Sequence, residues 1–374
     1  MADLQGTVQK YWESLKKSFQ RGSRIGLDIT SDTIAVAELK RSRNALTLTN
    51  VAIANTPWNA VQDGEITDPI AVAEVIEQLL RENRITAKSA ICAVAGQSTI
   101  VRPVRFPMMP ASELREVILY EAERYIPFAM EEVNLGFEVI GEVEEDGALK
   151  QEVVLVAAQK NLIGSLVKCV QEARLTVDCV DVASFAVLRA LADTDQMPDE
   201  QSVALVHIQG WTTDINVLQS GIPRFSRSVP IGYSYFLDAI VNALELEEDK
   251  ARQVLDEIDV DPQGSADMSP QTEQAAEIVR PALSELVAEV GRSIDFYLSQ
   301  GTEAIDRIVI SGRGGGLKNL DRFLTSRLGL TTEVANPFPK IVIDERQFDP
   351  ALLYSQASAL ATAIGLAMRG FQRL

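Results

Sequence analysis

The sequence predicts an α/β protein built from two similar domains, with a small α+β unit inserted into the first. Three stretches carry that expectation. Residues 24–40, RIGLDITSDTIAVAELK, set an apolar run, a polar turn and a second alternating run in the order of a β-hairpin. Residues 203–219, VALVHIQGWTTDINVLQ, repeat that order, the signature of an internal duplication. Residues 308–320, IVISGRGGGLKNL, lead a β-branched strand through a glycine-dense turn into a helical pattern, where backbone N–H groups can approach a phosphate.

At 374 residues and 46% hydrophobic, the chain is long enough for two or more domains with cores of their own. Its net charge of -18 excludes general nucleic-acid binding, which needs clustered lysine and arginine. Cys92, Cys169 and Cys179 are isolated, so they form neither a metal knuckle nor a disulfide framework and suit a reducing cytosol. No apolar run reaches membrane-spanning length and the N-terminus lacks the apolar core of a signal peptide, so the chain is not expected to cross a membrane.

Residues 1–23 reverse the overall charge sign. Lys10, Lys16, Lys17 and Arg21 outnumber Asp3 and Glu13, while Leu4, Val8, Trp12, Leu15 and Phe19 recur at helical spacing. Such a helix can lie on an anionic membrane surface, dock on a partner or pack on its own domain. The first domain is expected over 24–198. In its hairpin Asp28 sits at a strand end beside Thr30, Ser31 and Thr33, where a carboxylate can hold a hydrated cation against a phosphate or cap its own turn. A strand over 46–54, a helix over 69–83 and a buried strand over 89–95 follow from their apolar spacing.

The inserted unit is expected over about 102–180. It holds a helix over 113–125 capped by Ser112, strands over 134–143 and 150–158, and a helix over 161–172. Asp181 then lies between a strand over 176–180 and a helix over 183–193, where it can cap that helix. The polar linker 193–201 marks the domain boundary, and the second domain is expected over 199–350. There a helix over 234–244 precedes an acid-dense segment, 244–267, which reads as a solvated face, and 261–270 reads as a flexible loop. One long helix over 272–298 is expected to be broken or bent near Pro281 and Gly291. After the glycine loop come a helix to 328, a strand over 330–334 and an irregular link from 336 to 349. A final helix over 352–368 is rich in alanine and glycine, which permit close packing; the segment 351–374 is expected to return to the first domain.

The paired hairpins and the later glycine turn resemble the superfamily of actin, Hsp70 and the sugar kinases, which implies an actin-like (ribonuclease H-like) two-domain fold. Residues 103–142, especially FPMMPASELREVI and EAERYIPF, resemble the PilM family of type IV pilus assembly proteins, relatives of the division protein FtsA. That resemblance implies a cytoplasmic scaffold, peripheral at the inner face of the inner membrane. It would bind the cytoplasmic tail of a PilN-like inner-membrane protein and other components of the pilus machine. It also implies ATP or ADP with Mg2+ between the domains, held by Asp28 through water and by Thr30, Ser31, Thr33, Gly210, Thr213, Gly312, Gly314, Gly315 and Gly316. In the same terms Asp181 would position attacking water.

An extended tail would lie between the first domain and the inserted unit, near Val104, Phe106, Met108, Met109, Tyr125 and Phe128; each of these residues equally suits the core of the insertion. The nucleotide pattern is eroded. Thr30 replaces a glycine of the family pattern, Ala35 its lysine, His207 an aspartate and Gln209 a glycine, while Arg252 and Leu255 interrupt the nucleoside motif and Arg313 intrudes in the glycine loop. Neutral imidazole cannot replace a carboxylate toward magnesium's water shell, so ATP hydrolysis is expected to be slow or absent. An active ATPase of this superfamily and a small-metabolite or sugar kinase stand as alternatives. A kinase needs an acidic general base and an intact metal site, neither of which is identifiable.

Overall fold

The computed structural model describes residues 24–371 apart from 43–44, 146, 193, 199–200, 262–267 and 302. The amphipathic segment 1–23 and parts of the expected linker 193–201 and loop 261–270 lie outside the described residues. In chain order the first half has β1 (Arg24–Ile29), β2 (Thr33–Ser42), β3 (Ala45–Asn55), a short pair β4 (Val61–Gln62) and β5 (Glu65–Ile66), α1 (Pro69–Glu82), β6 (Ser89–Val94), β7 (Thr99–Pro107), α2 (Ala111–Glu121), β8 (Val133–Glu145), β9 (Ala148–Gln159), α3 (Lys160–Glu172), β10 (Thr176–Val182) and α4 (Ala183–Leu191). The second half has β11 (Ser202–Ile208), β12 (Thr213–Gln219), β13 (Ile222–Val229), α5 (Tyr233–Leu244), α6 (Glu248–Glu257), α7 (Pro270–Ser299), β14 (Arg307–Ser311), α8 (Leu320–Leu328), β15 (Thr331–Val334), β16 (Ile341–Val342), α9 (Pro350–Ser355) and α10 (Ala357–Arg369).

These elements make two mixed sheets of like topology. The first has the order β10-β6-β1-β2-β3-β16 and the second β13-β12-β11-β14-β15. In each, the opening hairpin is antiparallel and its first strand pairs in parallel with a later strand: β1 with β6, and β11 with β14. The hairpins therefore sit in the middle of their sheets, and their turns project from corresponding ends. The central strands are buried on both faces, which explains their continuous apolar runs. α10 lies where the halves meet. Its Ala363, Ile364 and Ala367 pack with Ala35 and Ala37 of β2, while its Ala361 packs with Val187 of α4 and Leu205 of β11.

Five local expectations are corrected. The separate small unit closes at Gln159, because the three-stranded sheet β7-β9-β8 under α2 ends there. The segment beyond it belongs to the first domain: α3 buries Leu162, Leu166 and Val170 with Val72 and Ile76 of α1, and β10 pairs with β6. Ser112 is not the cap of α2, since the helix starts at Ala111 after Pro110, and it ends at Glu121 in a 3-10 turn. The long helix α7 runs as one 30-residue element through Pro281 and Gly291. Its buried face, with Val279, Leu283, Leu286 and Val290, outweighs the one backbone hydrogen bond that proline forfeits. The last helix is divided at Gln356, and the irregular link contains β16, which pairs in parallel with β3.

Candidate functional site

The two hairpin turns face each other across the domain junction. In the first turn, Asp32 organises the chain: Thr30 Oγ1 donates to Asp32 Oδ1 at 2.8 Å and Thr33 Oγ1 to Oδ2 at 2.7 Å, while the Thr33 N–H donates to Thr30 Oγ1 at 3.0 Å. Thr30 and Thr33, expected at a ligand, are thus engaged by their own turn. Asp28 lies one strand residue below, opposite Ala35. Its carboxyl is buried, and burial, with the charge of Asp32 adding to it and a hydrogen bond from Thr362 opposing it, pushes it up to about 7.

The second hairpin places His207 where the first places Asp28, since each is the penultimate residue of its strand. His207 is buried, with Nδ1 2.8 Å from Ser311 Oγ and Nε2 2.8 Å from the Gln209 amide nitrogen. Both ring nitrogens thus have a polar partner inside the protein. Burial holds its pKa down, near 4. The Thr213 hydroxyl is spent on the Ile231 carbonyl at 2.7 Å. Asp214 is raised above the usual carboxylate range by burial and accepts the Gly96 N–H at 3.3 Å, a link from the second hairpin to the first domain.

The glycine loop is filled by the chain itself. Gly312 takes a φ of +82°, and a Cβ there would overlap the Ile208 carbonyl. The space beside Gly314 is taken by the Ile208 side chain, and Gly316 faces Ser358 of α10. Gly315 is buried against Ile310. Across the cleft, a Cβ on Gly210 would overlap Ser31 Oγ, and Ser31 Oγ in turn lies 3.3 Å from Ser234 Oγ.

Two arginines span the same cleft. Arg313 Nη1 donates to Asn55 Oδ1 of the first domain at 2.9 Å, while its Nη2 donates to Asp256 Oδ2 at 2.9 Å. Its guanidinium lies 4.8 Å from the centroid of the buried Tyr233 ring, whose hydroxyl donates to Asp256 Oδ1 at 2.7 Å. Arg252 pairs with Glu248 and donates through Nη1 to the Asp32 carbonyl at 3.3 Å. The cavity left beside Asp28, Ser31, Gly96 and Gly210 holds about 40 Å³. Small-molecule sites run to roughly 300–1,000 Å³. Around this cavity the Thr30, Thr33 and Thr213 hydroxyls are held by the protein itself, Ile208 packs beside Gly312 and Gly314, and Ala35 offers no cation to a phosphate. Among the described residues no group of three or more His, Cys, Asp or Glu could hold a metal.

Asp181 is placed apart from these groups. Its Oδ1 accepts the Val182 N–H at 2.8 Å and its Oδ2 accepts from Arg189 at 2.9 Å and Arg369 at 3.1 Å, tying β10 to α4 and α10. Val104 and Phe106, 6% and 4% exposed, are core residues beneath α2. Met109 and Tyr125 pack half-buried on that core, Phe128 on an adjoining one, and Met108 is 46% exposed. Sequence reasoning missed Asp32, Asn55, Tyr233, Asp256 and Thr362. The one sequence signal for them was an arginine within a glycine run.

A family model described as type IV pilus assembly protein PilM matches residues 26–371. Among solved structures, the chain is similar to one from a PilM-PilN type IV pilus biogenesis complex, with a TM-score of 0.82 and 27% identity over 95% of this chain and 100% of that one. The ethanolamine utilization protein EutJ of Carboxydothermus hydrogenoformans gives a TM-score of 0.54 at 14% identity, over 94% of this chain and 90% of that one. MreB5 of Spiroplasma citri bound to AMPPNP gives 0.49 at 14%, over 93% and 96%. The two sheets of like topology and the match to the chain from the PilM-PilN complex carry the actin-like two-domain fold.

Proposed function

Because the chain belongs to the type IV pilus assembly protein PilM family, we propose that it is a cytoplasmic actin-like scaffold that captures the cytoplasmic tail of a PilN-like inner-membrane protein and does not depend on ATP turnover. The observation that carries this reading is the match over nearly the whole length of both chains to the structure from a PilM-PilN complex. The closed cleft supports the second part, because the groups that would engage a nucleotide are bonded to one another. Such a scaffold sits at the inner face of the inner membrane through its partner, with the basic segment 1–23 as a second contact to anionic lipid, and other pilus components assemble on it. No helix among the described residues is long and apolar enough to cross a membrane.

We propose that the tail lies between the three-stranded unit and the first domain, against Met108, Met109, Tyr125 and Phe128; Met109 and Tyr125 rest on the unit's own core, which Val104 and Phe106 help to fill. Methionine adapts its shape to an apolar side chain, and an extended segment adds backbone hydrogen bonds. The test is titration with a synthetic peptide of the PilN-like tail. Met108→Glu alters an exposed side chain and is expected to leave the circular dichroism spectrum unchanged while weakening binding about tenfold or more. Unchanged affinity places the tail elsewhere, and no binding by the native protein removes the reading.

A further inference from the structure

We infer that Arg313 is a built-in strut that holds the two domains closed, in the place where the fold family uses a bound nucleotide. Four features converge on it. The guanidinium bonds simultaneously to Asn55 at the end of β3 and to Asp256 on α6, so one side chain ties the two domains together. It lies over the ring of Tyr233, a residue buried at the start of α5, which fixes the plane of the fork. The Tyr233 hydroxyl donates to the other Asp256 oxygen, so the carboxylate is held by two donors. A second guanidinium, that of the buried Arg252, reaches from the same helix to the Asp32 carbonyl of the first hairpin.

Its consequence follows from what a bridging ligand does. A nucleotide between two domains stabilises the closed form by supplying contacts to both at once. Here the groups that make those contacts belong to the chain itself, so they need no ligand to supply them. Further along the cleft the hairpin turns are already in van der Waals contact, with Gly210 against Ser31 and the Gly96 N–H on Asp214. Closure is thereby independent of ligand, and a nucleotide must displace Arg313 to enter. This inference concerns the cleft alone and stands or falls separately from the tail surface.

Hydrogen exchange of the full-length protein tests it, read at segments 30–33 and 209–213, whose amides lie at the closed turns. Asn55→Ala removes only the acceptor on the first domain and leaves Arg313, Asp256 and Tyr233 intact. It is expected to raise exchange in both segments about fivefold or more, with β6 and β11 unchanged; any smaller rise overturns the inference. Arg313→Ala is expected to act in the same direction, and should it unfold the second domain, seen as faster exchange throughout β11, the Asn55→Ala result decides. In native protein, millimolar ATP with magnesium is expected to leave both segments unchanged. Protection of about fivefold or more on its addition overturns the inference, because closure then needs the ligand.

Discussion

Asp28 and His207 stand at equivalent places in the two domains, and burial moves their titrations in opposite senses. Asp28 rises from 3.8 to about 7, so the folded protein holds a proton that the unfolded chain releases, and the stability from this group is lost as pH rises through about 7. His207 falls from 6.5 to about 4, so the unfolded chain binds the proton first, and the stability from this group is lost as pH falls from 6.5 toward 4. Each slope reaches at most about 1.4 kcal/mol per pH unit, and between about 4 and 6.5 the two offset each other. Asp28→Asn removes one of them. Urea denaturation is expected to show a steeper loss of stability in this variant than in the native protein as pH drops from 6.5 to 4. At pH 8 the variant is expected to be more stable by up to about 4 kcal/mol. Parallel curves for the two proteins would contradict this account. The sequence showed His207 in an aspartate's place, but its neutral state depends on burial, and only the fold buries it and brings Ser311 beside it.

Among the elements, α10 is under the tightest geometric constraint. Gly365 faces α4 so closely that a Cβ would overlap the Ala186 carbonyl, and on the other side Gly26 of β1 admits the Ala363 carbonyl in the same way. Alanine at 365 would favour the helix by about 1 kcal/mol through propensity alone. The clash is with backbone, which cannot rotate away, so separating the packed helices costs more. Gly365→Ala is expected to destabilise the protein by about 2 kcal/mol or more, measured by the shift in urea midpoint at constant m-value. A stabilised variant would show that the helices are not held at this spacing. The alanine- and glycine-rich pattern of 352–368 was legible as a close-packing helix. Its division at Gln356 was not, because both pieces carry helix-forming residues and the break serves the approach to β1 and α4.

At the scale of the whole molecule, side-chain links among the described residues that join the halves include Arg313 to Asn55, Arg252 to the Asp32 carbonyl, Asp214 to the Gly96 N–H, and Arg224 of β13 to Glu152 of β9, which also pairs with Arg105. Ala35 lies opposite Asp28, and Asp181, the residue expected to position water, is bound to two arginines. Phosphate release by the purified protein with ATP and magnesium is accordingly expected below about 1 per second, under the usual range for an enzyme. Turnover at or above that rate would mean that the cleft opens and reassembles a catalytic geometry.

The sequence by itself determined the duplicated hairpins, the glycine turn, the actin-like class and the family, because each rests on local periodicity or on residues adjacent in the chain. It also marked the loss of charged groups at 35 and 207, which is a matter of residue identity. Tertiary structure decided what replaced them. Asn55, Tyr233, Asp256 and Arg313 come from four separate elements, and the ion pairs of Asp181 join residues up to 188 positions apart. It also decided that α3 and β10 belong to the first domain, since an apolar helix face and an unpaired strand edge do not specify their partners until α1 and β6 are beside them. Local pattern fixes which elements form, whereas the hydrogen bonds and buried contacts between distant elements fix what the cleft can hold.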